Sequence, residues 1–215
     1  MRARVTRPIV VTGTDTGIGK TVFAAGLAGL LGGHYWKPVQ AGTDPEGDSE
    51  TVARLSGLPR DRILSEAYRL KLAASPHLAA REEGVSIETG RLAIPEVKGP
   101  LVIEGAGGAL VPLDEALLFA DVFAIWGAPV LVCARTGLGT INHSLLTVRA
   151  LRALDVDVIG LAFIGDPHPE NARIVPKLAG VPSLGRLPWL DPLTPGALAE
   201  AMRTHIDIVP LARAL

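Results

Sequence analysis

The chain has 215 residues, 48% of them hydrophobic, and a formal net charge of −1, enough to bury about 70% of its unfolded surface in one core and a single domain over residues 1–215. That charge offers no basic field for nucleic acid, and a lone cysteine, Cys133, rules out an intrachain disulfide framework or thiolate zinc site and suits a reducing cytoplasm. No apolar run reaches the ~18 residues of a membrane span, so the sequence reads as a soluble, unexported, cytoplasmic protein without a membrane partner.

Taken in chain order, short apolar runs alternate with longer helical spacing. Strands are predicted at 8–12, 34–39, 101–104, 129–134, 158–164 and 181–187, and helices at 20–31, 49–55, 119–126, 141–154 and 170–178. Between 59 and 100 the pattern weakens, with helical spacing only at 78–83 and 87–94. Strands apolar throughout are buried on both faces, and the βαβα order calls for an α/β fold with a mainly parallel sheet and helices on both faces. The 24 glycines and 17 prolines gather at junctions, leaving no linker or low-complexity tract.

The first junction carries the strongest chemistry. Val10-Val11-Thr12-Gly13-Thr14-Asp15-Thr16-Gly17-Ile18-Gly19-Lys20-Thr21 follows a strand and opens a helix, the context of a phosphate-binding loop. Its glycines let backbone N–H groups turn toward phosphate oxygens at a helix start, Lys20 would face the outer phosphates, and Thr21 can place a hydroxyl on Mg²⁺. Gly13 and Gly19 enclose five residues rather than the usual four, which marks a particular branch of the P-loop group. The other reading of this run is a glycine-rich turn without a ligand.

A nucleotide-bound metal needs carboxylates. Glu104 ends an apolar strand and precedes Gly105-Ala106-Gly107-Gly108, at the carboxyl edge of the sheet where open α/β folds bind ligands. Asp48, in an acidic loop before a helix, reads from composition as an N-cap. Lys37 emerges beyond Tyr35 and Trp36 at a strand end, either as a stabiliser of transferring charge or as a surface lysine. The turn Thr136-Gly137-Leu138-Gly139-Thr140 opens another helix whose free N–H groups suit a carboxylate. His77 and His143 have no partner motif and read as capping or packing residues. No nucleophile elbow, Cys/His pair or zinc spacing is present.

Taken together, the phosphate loop, Trp36-Lys37-Pro38-Val39, Ser75-Pro76-His77, Glu104-Gly105-Ala106-Gly107-Gly108, Gly139-Thr140-Ile141-Asn142-His143 and Pro188-Trp189-Leu190 resemble, in order, the dethiobiotin synthetase family from about residue 8 to 190. The resemblance implies a single-domain P-loop NTPase fold and a ligase of biotin biosynthesis. ATP, CO₂ or bicarbonate and 7,8-diaminononanoate would give dethiobiotin, ADP and phosphate through a carbamate and a carbamic-phosphoric anhydride. It implies Lys37 and Lys20 as catalytic cations, and Mg²⁺ held by Thr21, Asp48 and Glu104. Nucleotide would meet Gly17, Ile18, Gly19, Lys20, Thr21 and Val22 in the loop and Gly105, Ala106 and Gly107 after the acid. Gly165, Asp166, Pro188, Trp189 and Leu190 would surround the base. Substrate would meet Thr14, Lys37 and Ala41, with Gly139, Thr140, Ile141 and Asn142 serving the neighbouring subunit's site across a homodimer interface. Two positions depart from the family pattern: Ala41 stands where serine is common, leaving backbone contact, and Gly165 stands where asparagine commonly meets adenine, which opens the site to other nucleoside triphosphates.

Two other readings share the loop. An amidating ligase of the cobyrinate group would need a glutamine-hydrolysing domain, for which the chain has no room. A partition-type ATPase switch would carry a second lysine ahead of Gly19-Lys20-Thr21, where this chain has Thr14-Asp15-Thr16-Gly17.

Overall fold

In the computed structural model, which describes residues 7–213, β1 (Ile9–Gly13) is buried along its whole length. Its pleat sends Val10 into one apolar cluster and Ile9 and Val11 into another, the period-2 division that a doubly covered strand requires. The loop after β1 leads into α1 (Lys20–Leu31), where Ala24, Ala25 and Ala28 allow close approach to the sheet beside Phe23 and Leu27. Gly32 ends α1 in the left-handed conformation. Residues 1–6, on which the reading of an unexported amino terminus partly fell, lie outside the described residues.

The single strand expected over 34–39 is two: β2 (His34–Trp36) and β3 (Val39–Ala41). Pro38 lies between them without an N–H for a ladder, and the chain leaves the main sheet there. α2 (Asp48–Leu55) then buries Val52 and Leu55. Within 59–100 the structure has β4 (Ile63–Leu64), β5 (Tyr68–Leu70) and α3 (Pro76–Glu82). The two strands are too short for a period to show. α3 begins ahead of the expected residue 78 because proline suits a first helical turn, where its missing N–H has no partner to lose. The helix expected over 87–94 is not formed; only a 3₁₀ turn, Thr89–Leu92, lies there. Gly90 and Pro95 break the run, and Ile87 and Leu92 are buried as separate anchors.

β6 (Leu101–Glu104), α4 (Phe119–Trp126), β7 (Val130–Arg135), α5 (Thr140–Ala153), β8 (Val158–Ile164) and α6 (Pro169–Ala179) follow the expected order closely. β9 (Ser183–Leu187) starts past Pro182, later than expected, and α7 (Pro195–His205) was not among the predicted elements. Leu198 and Met202 of α7 share a core cluster with Phe23 and Leu27 of α1.

The main sheet runs β4-β2-β6-β1-β7-β8-β9 with every pairing parallel, while β3 and β5 form a separate parallel pair. Phe23, Leu27, Leu55 and Met202 cover one face; Phe119, Phe123, Val148 and Val175 cover the other. The chain passes from β6 to β7 across β1, which opens a crevice at the carboxyl ends of these three strands. Among the described residues no helix is long and apolar enough to cross a membrane.

Candidate active site

The loop from β1 to α1 lies in that crevice. Gly19 has φ +93°, which strains any residue with a side chain, and a Cβ there would stand 3.0 Å from Ile164 Cγ2, which would have to shift. Ile18 anchors the loop in the core at 2% exposure. Lys20 is buried beneath it and donates to the Asp15 carbonyl at 3.2 Å. Burial holds its ammonium below the usual lysine range, with Glu104 pulling the other way.

Strand register brings the remaining groups to the same edge. Tyr35 pairs with Val102 and Glu104 with Val11, so Tyr35, Val102 and Glu104 share the sheet face that α1 covers. Lys37 lies two residues beyond Tyr35. Glu104, 1% exposed, accepts from Thr21 Oγ1 at 2.8 Å and Lys37 Nζ at 3.2 Å on Oε1, and from Tyr35 OH at 2.8 Å on Oε2. Lys37, 3% exposed, also lies 2.5 Å from Asp48 Oδ2 and donates to the Gly105 carbonyl at 3.2 Å.

Asp48 is therefore not a cap. Gly47 holds that position, and Glu50 closes back on the Gly47 amide at 3.0 Å, leaving the Asp48 carboxylate to Lys37. Gln40 secures the start of α2, accepting from the Asp48 amide at 3.0 Å while donating to the Gly42 carbonyl at 2.7 Å. Burial works to lower the Lys37 pKa, but Glu104 and Asp48 more than reverse it and the ammonium titrates above its ordinary range. Burial likewise works to raise Asp48, and Lys37 overrides it to hold the carboxyl low. For Glu104 burial prevails over Lys37, and its pKa is raised.

These side chains open into a cavity of 640 Å³ lined by Gly17, Gly19, Lys20, Thr21, Val22, Lys37, Ala41, Asp48, Glu104, Ala106 and Gly107, all expected from the sequence. Thr16, Gln40, Ala73, Ala74, Ser75, Pro76 and Val111 complete its wall. Tyr35 and Gln40 were absent from the expected site. Counting two residues back from Lys37 along a strand flags Tyr35, whereas nothing local flags Gln40.

Other expected residues lie outside the cavity lining. Thr14 is half-buried in the loop, and Gly105 contributes its carbonyl to Lys37. At the end of β7, Gly139, Ile141 and Asn142 are exposed, whereas Thr140 is buried with its hydroxyl committed to the Arg135 carbonyl at 2.5 Å and its amide to Gly137. The amides of Ile141 and Asn142 are left for a ligand. Gly165, at the end of β8, has φ +127°, and a Cβ there would lie 2.9 Å from Thr136 Oγ1. Thus the departure from asparagine matches a backbone with no room for a side chain. Trp189 is 62% exposed, with its indole beside Gly165, Asp166 is exposed, and Pro188 and Leu190 are partly exposed.

Two carboxylates and a hydroxyl, all oxygen donors, suit a hard cation such as Mg²⁺. Among the described residues no three His, Cys, Asp or Glu converge, so a metal here would complete its shell with phosphate oxygens and water.

A glycine-rich strand-to-helix loop with Lys20 and Thr21, set in a parallel sheet beside a metal-suited acid pair, defines a P-loop nucleotide-binding protein. The fold is shared with a ParA family ATPase from Chlorobium tepidum TLS (TM-score 0.54, 13% identity, 97% of this chain and 94% of that one) and with the cell division ATPase MinD of Pyrococcus furiosus (TM-score 0.53, 15% identity, 93% and 99%). The chain also matches the family described as AAA domain over residues 7–197. It is 60% identical over 203 residues to the ATP-dependent dethiobiotin synthetase BioD of Rhodopseudomonas palustris strain HaA2, covering 94% of this chain and 95% of that protein. It is 62% identical over 197 residues to the protein of the same name from Rhizorhabdus wittichii, covering 92% and 94%. The chain belongs to the dethiobiotin synthetase family.

Proposed function

We propose that the chain is an ATP-dependent dethiobiotin synthetase that carboxylates 7,8-diaminononanoate and closes the ureido ring. The observation that carries this reading is the buried Lys37 ammonium, held between Asp48 and Glu104 at the mouth of the phosphate loop. One amine of the diamine attacks CO₂ to form a carbamate. A carbamate oxygen then attacks the γ-phosphorus of ATP, and the bond to the departing ADP breaks. Finally the second amine attacks the carbonyl carbon of the anhydride and phosphate leaves. None of these steps needs a protein nucleophile, which agrees with a site built from cations, acids and backbone amides.

In this reading Lys20 and the loop amides grip the outer phosphates. Lys37, on a flexible four-carbon stem, swings from the acid pair toward the transferring phosphoryl group. Thr21, Asp48 and Glu104 would hold Mg²⁺, which when bound would offset phosphate charge. Ala41 offers only backbone to the diamine. The exposed Ile141 and Asn142 in the first turn of α5, outside the cavity lining, support its service to the partner's site in a homodimer, with the fully exposed Leu138 nearby. The cytoplasm, where ATP and bicarbonate are available, is the proposed location. At 13–15% identity the likeness to the partition and division ATPases extends to fold alone, and the second lysine of such switches is missing. Purified protein given the diamine, bicarbonate, ATP and Mg²⁺ should form dethiobiotin, with ADP release dependent on the diamine. ADP release that ignores the diamine and responds to DNA would overturn the proposal.

A further inference from the structure

We propose that Tyr35 is a positioning residue that fixes which oxygen of Glu104 faces the metal; the inference rests on the magnesium reading above. Tyr35 has no exposed surface and packs in the same core cluster as Phe23, Leu27 and Val102. Its hydroxyl donates to Glu104 Oε2 at 2.8 Å, while Thr21 and Lys37 both reach Oε1. The carboxylate is itself buried, so water is not at hand to satisfy Oε2, and the phenol meets that need.

An unanchored carboxylate would exchange its two oxygens by turning about its last torsion. Here one side is tied to a ring that packing holds still, and the other side, with Oε1 beside the Thr21 hydroxyl, is presented to the cavity. Glu104 would therefore meet a cation through Oε1, the oxygen left free of the phenol, and Tyr35 sets that orientation from the layer behind the carboxylate. Hydrogen-bonded partners of metal ligands typically carry 10–100-fold of metal affinity, so about that loss is expected when the hydroxyl is removed. A tyrosine buried only for packing would behave differently: losing the hydroxyl would lower stability and leave metal affinity where it was.

Mn²⁺ binding followed by electron paramagnetic resonance, with a non-hydrolysable ATP analogue, separates these cases without turnover. Wild type, Tyr35→Phe, Glu104→Gln and the double substitution are compared, with near-ultraviolet circular dichroism reporting the fold. Tyr35→Phe should weaken Mn²⁺ binding roughly 10-fold or more while metal-free analogue binding stays within about 3-fold. Added to Glu104→Gln, it should cost nothing further. Unchanged Mn²⁺ affinity in Tyr35→Phe, or the full loss repeated on the Glu104→Gln background, overturns the inference. If Tyr35→Phe does not fold, 3-fluorotyrosine is placed at position 35, which keeps the ring and makes the phenol a stronger donor: a changed Mn²⁺ affinity supports the role, and an unchanged one overturns it. Wild type that binds no Mn²⁺ with the analogue overturns the magnesium reading itself, and this inference with it.

Discussion

Replacing Lys37 with methionine keeps the volume of the stem and removes its ammonium. That ammonium is 2.5 Å from Asp48 Oδ2 and 3.2 Å from Glu104 Oε1, so the substitution leaves two carboxylates facing each other with Lys20 as the nearby cation. Breaking a fully buried pair costs about 3–5 kcal/mol. The Asp48 side chain is 30% exposed, and solvent screening reduces the expected loss to about 2–3 kcal/mol. In a chain of this size roughly 1 kcal/mol moves Tm by ~2–4 °C, giving a drop of about 4–12 °C. Turnover should fall ~10²-fold or more, the usual cost of losing a placed stabiliser of transferring charge. Mg²⁺ with ADP should then raise the Tm of the variant more than that of wild type, because the anionic pocket has no resident ammonium to displace. Thermal unfolding with and without Mg²⁺–ADP, beside a dethiobiotin assay, tests all three. Turnover within about 3-fold of wild type, or an unchanged Tm, would refute the reasoning.

Asp48 has a depressed pKa because Lys37 outweighs burial, so it contributes stability that is present above its unfolded pKa, near ~3.9, and is lost as pH falls through the folded value. Wild type should consequently lose more unfolding free energy than Asp48→Asn between about pH 5 and pH 3, measured by urea titration; parallel curves would remove the assigned Lys37 pairing. At the base site Gly165 supplies no amide side chain and its backbone admits none, so GTP and CTP should support turnover within roughly 10-fold of ATP. A preference for ATP of about 10³-fold or more would show that another group reads the adenine edge.

The phosphate loop was legible because its chemistry lies in contiguous residues: Gly17, Gly19, Lys20 and Thr21 need only the strand before them and the helix after them. The parallel sheet was legible too, since β1, β6, β7 and β8 are apolar on both faces, a pattern that helical cover on both sides produces. α7 was also within reach, with Thr194 accepting from the Ala197 amide and Leu198, Ala201 and Met202 at helical spacing, although it was not among the predicted elements. By contrast, β4 and β5 are shorter than any period that could announce them, and the run 87–94 buries Ile87 and Leu92 singly, five positions apart on either side of Gly90.

By itself the sequence determined a nucleotide-gripping loop on a doubly covered parallel sheet, and through family resemblance it pointed to Lys37, Asp48 and Glu104. Tertiary structure alone decided what those three do to one another. Composition favours a helix cap for Asp48, whereas Gly47 holds that position, and it leaves Lys37 equally a surface lysine or a charge stabiliser, whereas the fold buries it between two acids. The hydrogen bond from Tyr35 to Glu104 spans 69 positions in the chain and exists because β2 pairs with β6 in one register. Local motifs follow from hydrogen bonds and periodicity among neighbouring residues, whereas meetings between distant side chains depend on strand register and helix placement, which only packing of the whole chain fixes.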